Sequence, residues 1–231
     1  MIIDQNDALA LALTNQGTRP AGAGDVISHT LYDTVKFALG WNQKVEFFAV
    51  PQNGIQFGIT KTFGHTNMTE AKKLPAGNRF VFDSIAVNVI QSSGTGANAN
   101  QTPDTAADYA KKLHALNHLL NYTVLRVKLP TLEFEYETPM SAWLSTFPMV
   151  SYDAAAATMP RESSKGEFLS QKVLKLGQVV TLANIDSSPT QFSIDVMPDQ
   201  NIASVTDALS VLANDGDALR VSLLGKLVRS K

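Results

Sequence analysis

The stretch that decides the fold is Thr66–Ile90, TNMTEAKKLPAGNRFVFDSIAVNVI. Its first half is polar, and Leu74-Pro75 followed by Gly77 cannot continue a helix or a central strand. In its second half, from Arg79 to Ile90, apolar and polar residues alternate as in a strand with one buried face. The alternation slips by one residue at Asp83-Ser84, which predicts a β-bulge. We therefore predict that a long strand at the centre of a sheet begins after a turn.

Two shorter strand patterns precede this stretch. Lys44–Val50 (KVEFFAV) and Ile55–Phe63 (IQFGITKTF) are separated by Pro51-Gln52-Asn53-Gly54, a turn sequence in which Asn-Gly suits positive φ. The pattern predicts a β-hairpin over residues 44–63. A further strand of mixed character is predicted over Asp25–Leu39.

One helix is predicted after the central strand. Residues 91–103 (QSSGTGANANQTP) form a low-complexity loop without a phosphate-binding pattern. In Asp104–Leu120, by contrast, large apolar residues recur every three or four positions and share one helical face. These residues are Tyr109, Leu113, Leu116 and Leu120. We expect this face to pack on the sheet.

The rest of the chain contains further strand patterns, and the pattern of Asn201–Leu212 is compatible with a short helix. The predicted strands are Val124–Leu129, Leu132–Tyr136, Val173–Ile185 with a turn at Gly177, Gln191–Met197, and Leu219–Arg229, whose pattern breaks at Gly225. Eight to ten short strands without a βαβ rhythm predict an all-β fold with one helix, an antiparallel sandwich or barrel.

Composition bounds the class of protein. The 231 residues are 44% hydrophobic and 17% charged, with a net charge of −2, which is typical of a globular chain and lacks the positive charge that holds nucleic acid. The absence of cysteine excludes disulfides, zinc-thiolate sites and a cysteine nucleophile. Residues 1–24, rich in Gly, Ala and Pro near their end, are predicted to form a flexible arm, and residues 25–231 a single domain.

No reactive constellation is found, so we expect no enzyme, no catalytic residue, no metal site and no cofactor. His114 and His118 have helical metal-ligand spacing, but no third ligand is apparent. The acidic residues Asp83, Glu133, Glu135 and Glu137 include three that alternate along one strand, which is typical of a solvated face rather than of a facing carboxylate pair.

The longest irregular segment is Thr138–Gly166. A loop of this length in a compact domain is usually functional or forms contacts. Its large apolar residues predict a subunit interface, because soluble monomers seldom expose so many together. These residues are Trp143, Phe147, Met149 and Tyr152.

The order of these features resembles the jelly-roll capsid proteins of tailless icosahedral bacteriophages and their relatives, over roughly residues 44–229. The parts that carry the resemblance are Thr66-Asn67-Met68, Leu74-Pro75-Ala76-Gly77 leading into the long strand, the loop and helix, the strand Leu125–Leu129, the Glu-rich strand ending in Thr138-Pro139, and the closing strand Leu219–Arg229. Arg19 is the only basic residue of 1–24, unlike in capsid proteins that coat RNA with a basic arm.

The resemblance implies a major capsid protein that assembles in the host cytoplasm into the icosahedral shell of a virion. Its partners would be copies of itself, as trimers or pentamers, and other virion proteins, without sequence-specific nucleic acid binding. Because two jelly rolls need about sixteen strands, we favour a single jelly roll over a compact double one. The alternatives are a carbohydrate-binding β-sandwich, a virion fibre or attachment domain, and a glycosidase-like jelly-roll enzyme.

Overall fold

The structure is a computed structural model that describes residues 26–42, 44–90, 114–116, 118–129, 134–142, 173–184, 191–199, 203–215 and 217–229. The predicted arm, residues 1–24, lies outside the described residues. Ten strands are described. They are β1 (Val26–Lys36), β2 (Val45–Phe47), β3 (Ile55–Gln56), β4 (Ile59–Thr60), β5 (Asn78–Ile90), β6 (Thr123–Leu129), β7 (Phe134–Pro139), β8 (Val173–Asn184), β9 (Ser193–Pro198) and β10 (Ala218–Arg229).

Eight of these strands form two antiparallel four-stranded sheets. Sheet A has the order β1-β10-β5-β8, sheet B has the order β2-β9-β6-β7, and β3 pairs only with β4. Among these eight strands, the first four in the chain pair with the last four in reverse order. β1 pairs with β10, β2 with β9, β5 with β8 and β6 with β7. The sheet organisation confirms the predicted all-β antiparallel sandwich.

The predicted central strand is confirmed as β5, which lies between β10 and β8 in sheet A. Its pairing with β10 shifts register between Leu224 and Gly225, at the predicted slip around Asp83. Gly225 does not end β10. A Cβ at this position would lie 2.1 Å from the Val81 carbonyl oxygen, so the close approach of the bulged strand requires glycine.

The inner faces of both sheets share one hydrophobic core. Sheet A contributes alternating residues of β1, β5 and β10, and sheet B contributes those of β2, β6 and β9. The core includes Leu31, Val35, Phe80, Phe82, Ile85, Val87, Leu219, Val221 and Leu223 from sheet A, and Val45, Phe47, Leu125, Val127, Ile194 and Val196 from sheet B. Burial of these side chains, each worth about 1.5–3 kcal/mol, holds the sheets together.

Two helical segments are described instead of the single predicted helix. The first, α1, comprises helical residues 114–116 and 118–121, and its Leu116 and Leu120 are buried as predicted, whereas Tyr109 and Leu113 lie outside the described residues. The second, α2, is Ala203–Asp215, three residues longer at its C-terminus than the helix considered over 201–212. It contacts the 3-10 turn Leu39–Asn42.

Three local predictions are wrong. Residues 44–63 do not form a hairpin, because β2 pairs with β9 and the strand residues beyond the turn pair only among themselves. The turn itself is confirmed, since the Gly54 amide donates to the Pro51 carbonyl and Asn53 has φ 66°. Gly177 does not end β8, but it lies where the pairing of β8 with β5 skips from Lys175 to Val180. The predicted loop 138–166 begins later, because Thr138 and Pro139 belong to β7.

Candidate interaction surface

A carboxylate lies in the hydrophobic core. Asp33 of β1 is on the inner face between Leu31 and Val35, and its side chain is fully buried. An ionised carboxylate at such a position requires a paired charge and further hydrogen bonds. Both are present in the connection between β2 and β5.

The paired charge is Lys61, the residue that follows β4. Its Nζ lies 2.6 Å from Oδ1 and 2.7 Å from Oδ2 of Asp33, and its side chain is 3% exposed. Burial raises the pKa of Asp33, and the attraction of Lys61 opposes that change. Burial likewise lowers the pKa of Lys61, opposed by the attraction of Asp33. The pair holds the β3–β4 hairpin to the core.

The same carboxylate fixes a strained residue. The Phe48 amide donates to Asp33 Oδ2 at 2.7 Å, and Phe48 has φ 63°, an unusual value for a bulky residue. The Phe48 ring is buried against Phe192, with 5.3 Å between ring centroids. The Asp33 cluster (Asp33, Lys61 and Phe48) thus links β1, the end of β2 and the hairpin.

The hairpin held by this cluster has a two-residue turn, Phe57-Gly58, flanked by the pair Gln56 and Ile59. Both turn residues have positive φ, 48° and 76°, as a type I′ turn requires. Asn, Asp or Gly usually occupy these positions, so a phenylalanine there stores backbone strain. The Gln56 side chain also anchors the hairpin, because its Nε2 donates to the Glu46 carbonyl at 3.0 Å.

The anchored hairpin exposes large apolar side chains. Ile55 is 69% exposed and Phe57 is 39% exposed, and the Phe57 ring lies over Gly40, next to Leu39, which is 62% exposed. We define Leu39, Ile55 and Phe57 as the tip patch. Phe63, farther along, is also exposed, and its ring meets that of Tyr32 edge-on at 6.3 Å.

The free edge of β1 is closed by a side chain. Asn67 Nδ2 donates to the Thr30 carbonyl at 2.6 Å, and its Oδ1 accepts from the Tyr32 amide at 3.0 Å. One amide side chain thus occupies backbone groups that would otherwise be available to another strand. The Asn67 sequence matches a glycosylation sequon, but its side chain is engaged in these bonds.

A row of charges crosses the outer face of sheet B. Glu46, Asp195, Arg126 and Glu137 are cross-strand partners on four successive strands. Arg126 forms an ion pair with Glu137. The carboxylate of Glu46 lies 2.6 Å from the Nζ of Lys44 and 2.6 Å from the Nζ of Lys72.

Asp195 is the least compensated member of this row. It is 2% exposed, its Oδ1 has no hydrogen-bond partner among the residues that the structure describes, and Lys44 Nζ lies 3.7 Å from its Oδ2. Burial raises the pKa of Asp195, which the attraction of Lys44 only partly opposes.

The predicted interface residues Trp143, Phe147, Met149 and Tyr152 lie outside the described residues, so their role stays a prediction. Of the candidate acids, only Asp83 and Glu137 have described side chains, and these two lie in different sheets. Asp83 lies at the bulge of sheet A and accepts from Ser84 Oγ, whereas Glu137 lies on the edge strand of sheet B. Glu133 is outside the described residues.

The candidate histidine pair is in contact. The rings of His114 and His118 meet edge-on with centroids 4.4 Å apart. Within the described ranges, no third His, Cys, Asp or Glu joins a group that could hold a metal ion.

Sequence reasoning missed Asp33, Lys61 and the tip of the hairpin. Asp33 was detectable, because it shares its alternation phase with Leu31 and Val35 and so had to point inward. The two-residue hairpin was detectable from Phe57-Gly58, because this dipeptide lies between the short alternating segments Ile55-Gln56 and Ile59-Thr60. The pairing of Asp33 with Lys61 carries no sequence pattern, since 27 residues lie between them in the chain.

Comparison of the sequence with protein-family models and with curated proteins finds no match. In the part of the chain that the structure describes, no helix has both the length and the apolar character needed to cross a bilayer.

Proposed function

We propose that the chain is a single jelly roll that assembles with copies of itself into a viral shell, as a major capsid protein. The observation that carries this proposal is the strand order. Two four-stranded sheets in which the first four sandwich strands pair with the last four in reverse order support an eight-stranded jelly roll. Viral capsid domains use this arrangement, as do lectins and cupins.

The eight sandwich strands in the described ranges support one jelly roll rather than two, because two would need about sixteen. The rest of the proposal rests on the resemblance described above. It places the protein in the virion, after assembly in the host cytoplasm, in contact with itself and other virion proteins.

Assembly is the test. The purified protein should form trimers, pentamers or closed particles, visible by light scattering and by negative-stain electron microscopy. A protein that stays monomeric at high concentration, across ionic strengths and in the presence of other virion components, would contradict the proposal. Binding to a glycan array by such a monomer would favour the alternative, a carbohydrate-binding sandwich or an attachment domain.

A further inference from the structure

We propose that Lys61 and Asp33 condense to form an intramolecular isopeptide bond, a covalent cross-link between the end of the β3–β4 hairpin and β1. This modification goes beyond the proposed function and does not depend on it. Three observations carry it: the close approach of the two side chains, their burial, and a backbone donor at the carboxyl group. The structure shows the two groups as an ion pair, which is the state before condensation.

The amino group and the carboxyl group are already in contact. Lys61 Nζ lies 2.6 Å from Oδ1 and 2.7 Å from Oδ2 of Asp33. Because Nζ faces both oxygens, it lies about 3 Å from Cγ, the separation at which bound groups react. The remaining movement is a rotation of the carboxyl group, since the amine must approach Cγ from above the carboxyl plane.

Burial favours the uncharged forms of both groups. The Asp33 side chain is fully buried and that of Lys61 is 3% exposed. Burial raises the pKa of Asp33 and lowers the pKa of Lys61, although their mutual attraction opposes both changes. Transfer of a proton from Nζ to the carboxylate therefore costs less here than at the surface. A desolvated lysine amine is an activated nucleophile.

A backbone donor points at the carboxyl group. The Phe48 amide donates to Asp33 Oδ2 at 2.7 Å. When Nζ attacks Cγ, negative charge develops on Oδ2, and a fixed amide donor in a site without water stabilises that charge. Phe48 holds this amide in place with φ 63°, and backbone strain of this kind is concentrated at functional sites.

The reaction balances without a co-reactant. A proton first passes from Nζ to Oδ1, and the Nζ lone pair then forms a bond to Cγ while negative charge develops on Oδ2. Nζ passes a second proton to Oδ1, the Cγ–Oδ1 bond breaks, and Oδ1 leaves as water. The product is a neutral amide, so no charge stays in the core. Hydrolysis of the new bond is slow because the core excludes water.

The cross-link would take the place that disulfides have in other proteins. The chain contains no cysteine, and 27 residues lie between Asp33 and Lys61. A covalent bond that closes a loop stabilises a protein mainly because it restricts the unfolded chain. The bond would also attach the hairpin to β1 permanently.

Mass spectrometry of the full chain tests the proposal. Protein purified in the folded state, incubated at neutral pH and then denatured should weigh less than its sequence by one water molecule. Trypsin cuts after Lys36 and Lys44 but not after an acylated lysine, so the digest should contain residues 45–72 joined to the peptide that ends at Lys36. The exposed pair Lys73–Glu70, with 3.0 Å between Nζ and Oε2, is the control in the same digest and should stay unlinked.

Lys61→Arg should keep its full mass, because a guanidinium preserves the charge but is not deprotonated to a nucleophile. The matched variant Lys73→Arg should lose one water like the wild type. A wild-type chain of full mass would overturn the proposal, as would loss of water without the joined peptide or equal loss of water in Lys61→Arg. Because the joined peptide is detected in the wild type, the test decides even where Lys61→Arg does not fold.

Discussion

Asp33 lies on the inner face of β1, where the neighbouring inner-face residues are Leu31 and Val35. The cost of burying its charge is offset by the ion pair with Lys61 and by the hydrogen bond from the Phe48 amide. A buried ion pair is weak evidence for stability compared with an apolar pair, but removal of one partner leaves an isolated buried charge. The position therefore tolerates change of both partners better than change of one.

Lys61→Met should lower the free energy of unfolding by about 3–5 kcal/mol, because Asp33 would remain buried without its counter-charge. Urea unfolding followed by circular dichroism measures the change. Lys73→Met is the matched control, since the Lys73–Glu70 pair, 3.0 Å apart, is exposed and should contribute only about 0–1 kcal/mol. Equal losses in the two variants would show that the buried pair is not the anchor of the hairpin.

Asp195→Asn should stabilise the protein at neutral pH. The folded-state pKa of Asp195 is raised by burial, so the folded protein holds this proton more tightly than the unfolded chain does. The stability contributed by this group is present below the ordinary aspartate pKa of about 4 and is lost as the pH rises through the raised value.

The advantage of Asp195→Asn over the wild type should therefore appear in urea midpoints at pH 7 and disappear near pH 3. The control is Asp207→Asn in α2, whose stability at pH 7 should stay within about 0.5 kcal/mol of the wild type because the side chain is exposed. A variant that is less stable than the wild type at pH 7 would mean that the attraction of Lys44 outweighs the burial of the carboxylate.

At the scale of elements, local patterns predicted the strands but not their partners. The alternation from Phe80 to Val89 predicted β5 and its bulge, because one buried face imposes a two-residue period. The turn Pro51–Gly54 is also local and was predicted. What failed was the inference that a turn joins two paired strands: Phe47 lies opposite Ile194, and packing in the shared core decides that pairing.

Glycine inside strands was misinterpreted for a related reason. Gly177 and Gly225 were predicted to interrupt strands, since glycine weakens a strand interior. In the structure both strands continue, and β10 needs its glycine because the neighbouring strand bulges toward it. Only the placement of β5 beside β10 explains the residue, and that placement is not encoded within either segment.

Gly225→Ala should destabilise the protein by about 1–3 kcal/mol, because the added methyl would overlap the Val81 carbonyl and force the two strands apart. Thermal unfolding measures the effect. The control is Gly64→Ala, where the nearest atom, Thr62 Oγ1, is at an ordinary contact distance of 3.6 Å, and the change should stay within about 0.5 kcal/mol. A neutral Gly225→Ala would contradict the close approach at the bulge.

At the scale of the whole molecule, the sandwich was predicted from strand count and the absence of a βαβ rhythm. The reverse order of pairing was not derivable from the residues, because all its pairings except that of β6 with β7 join segments far apart in the chain. The candidate surface could likewise be predicted only in part from the sequence. Exposed apolar residues can be listed from a sequence, but only the structure brings Phe57 over Gly40 and holds it with Asp33 and Lys61.

The interface loop predicted from the sequence has its own test at this scale. The double variant Trp143→Ala with Phe147→Ala should weaken assembly while the fold persists, because an aromatic anchor in an interface can contribute more than about 2 kcal/mol of binding. Light scattering and circular dichroism on one sample separate the two effects. Unchanged particles, or joint loss of fold and assembly, would count against the loop as an interface.

The position of β10 between β1 and β5 has a consequence for biosynthesis. Val26 lies opposite Val228, so the strand that the ribosome releases early finds its neighbour only when almost all of the described chain has been made. Until then the nascent chain cannot complete sheet A. Folding is slow because a long stretch of chain must be closed into a loop before β1 and β10 can pair. Sheet A is therefore complete only after translation has passed residue 229, and in the proposed assembly only fully translated chains would be able to join.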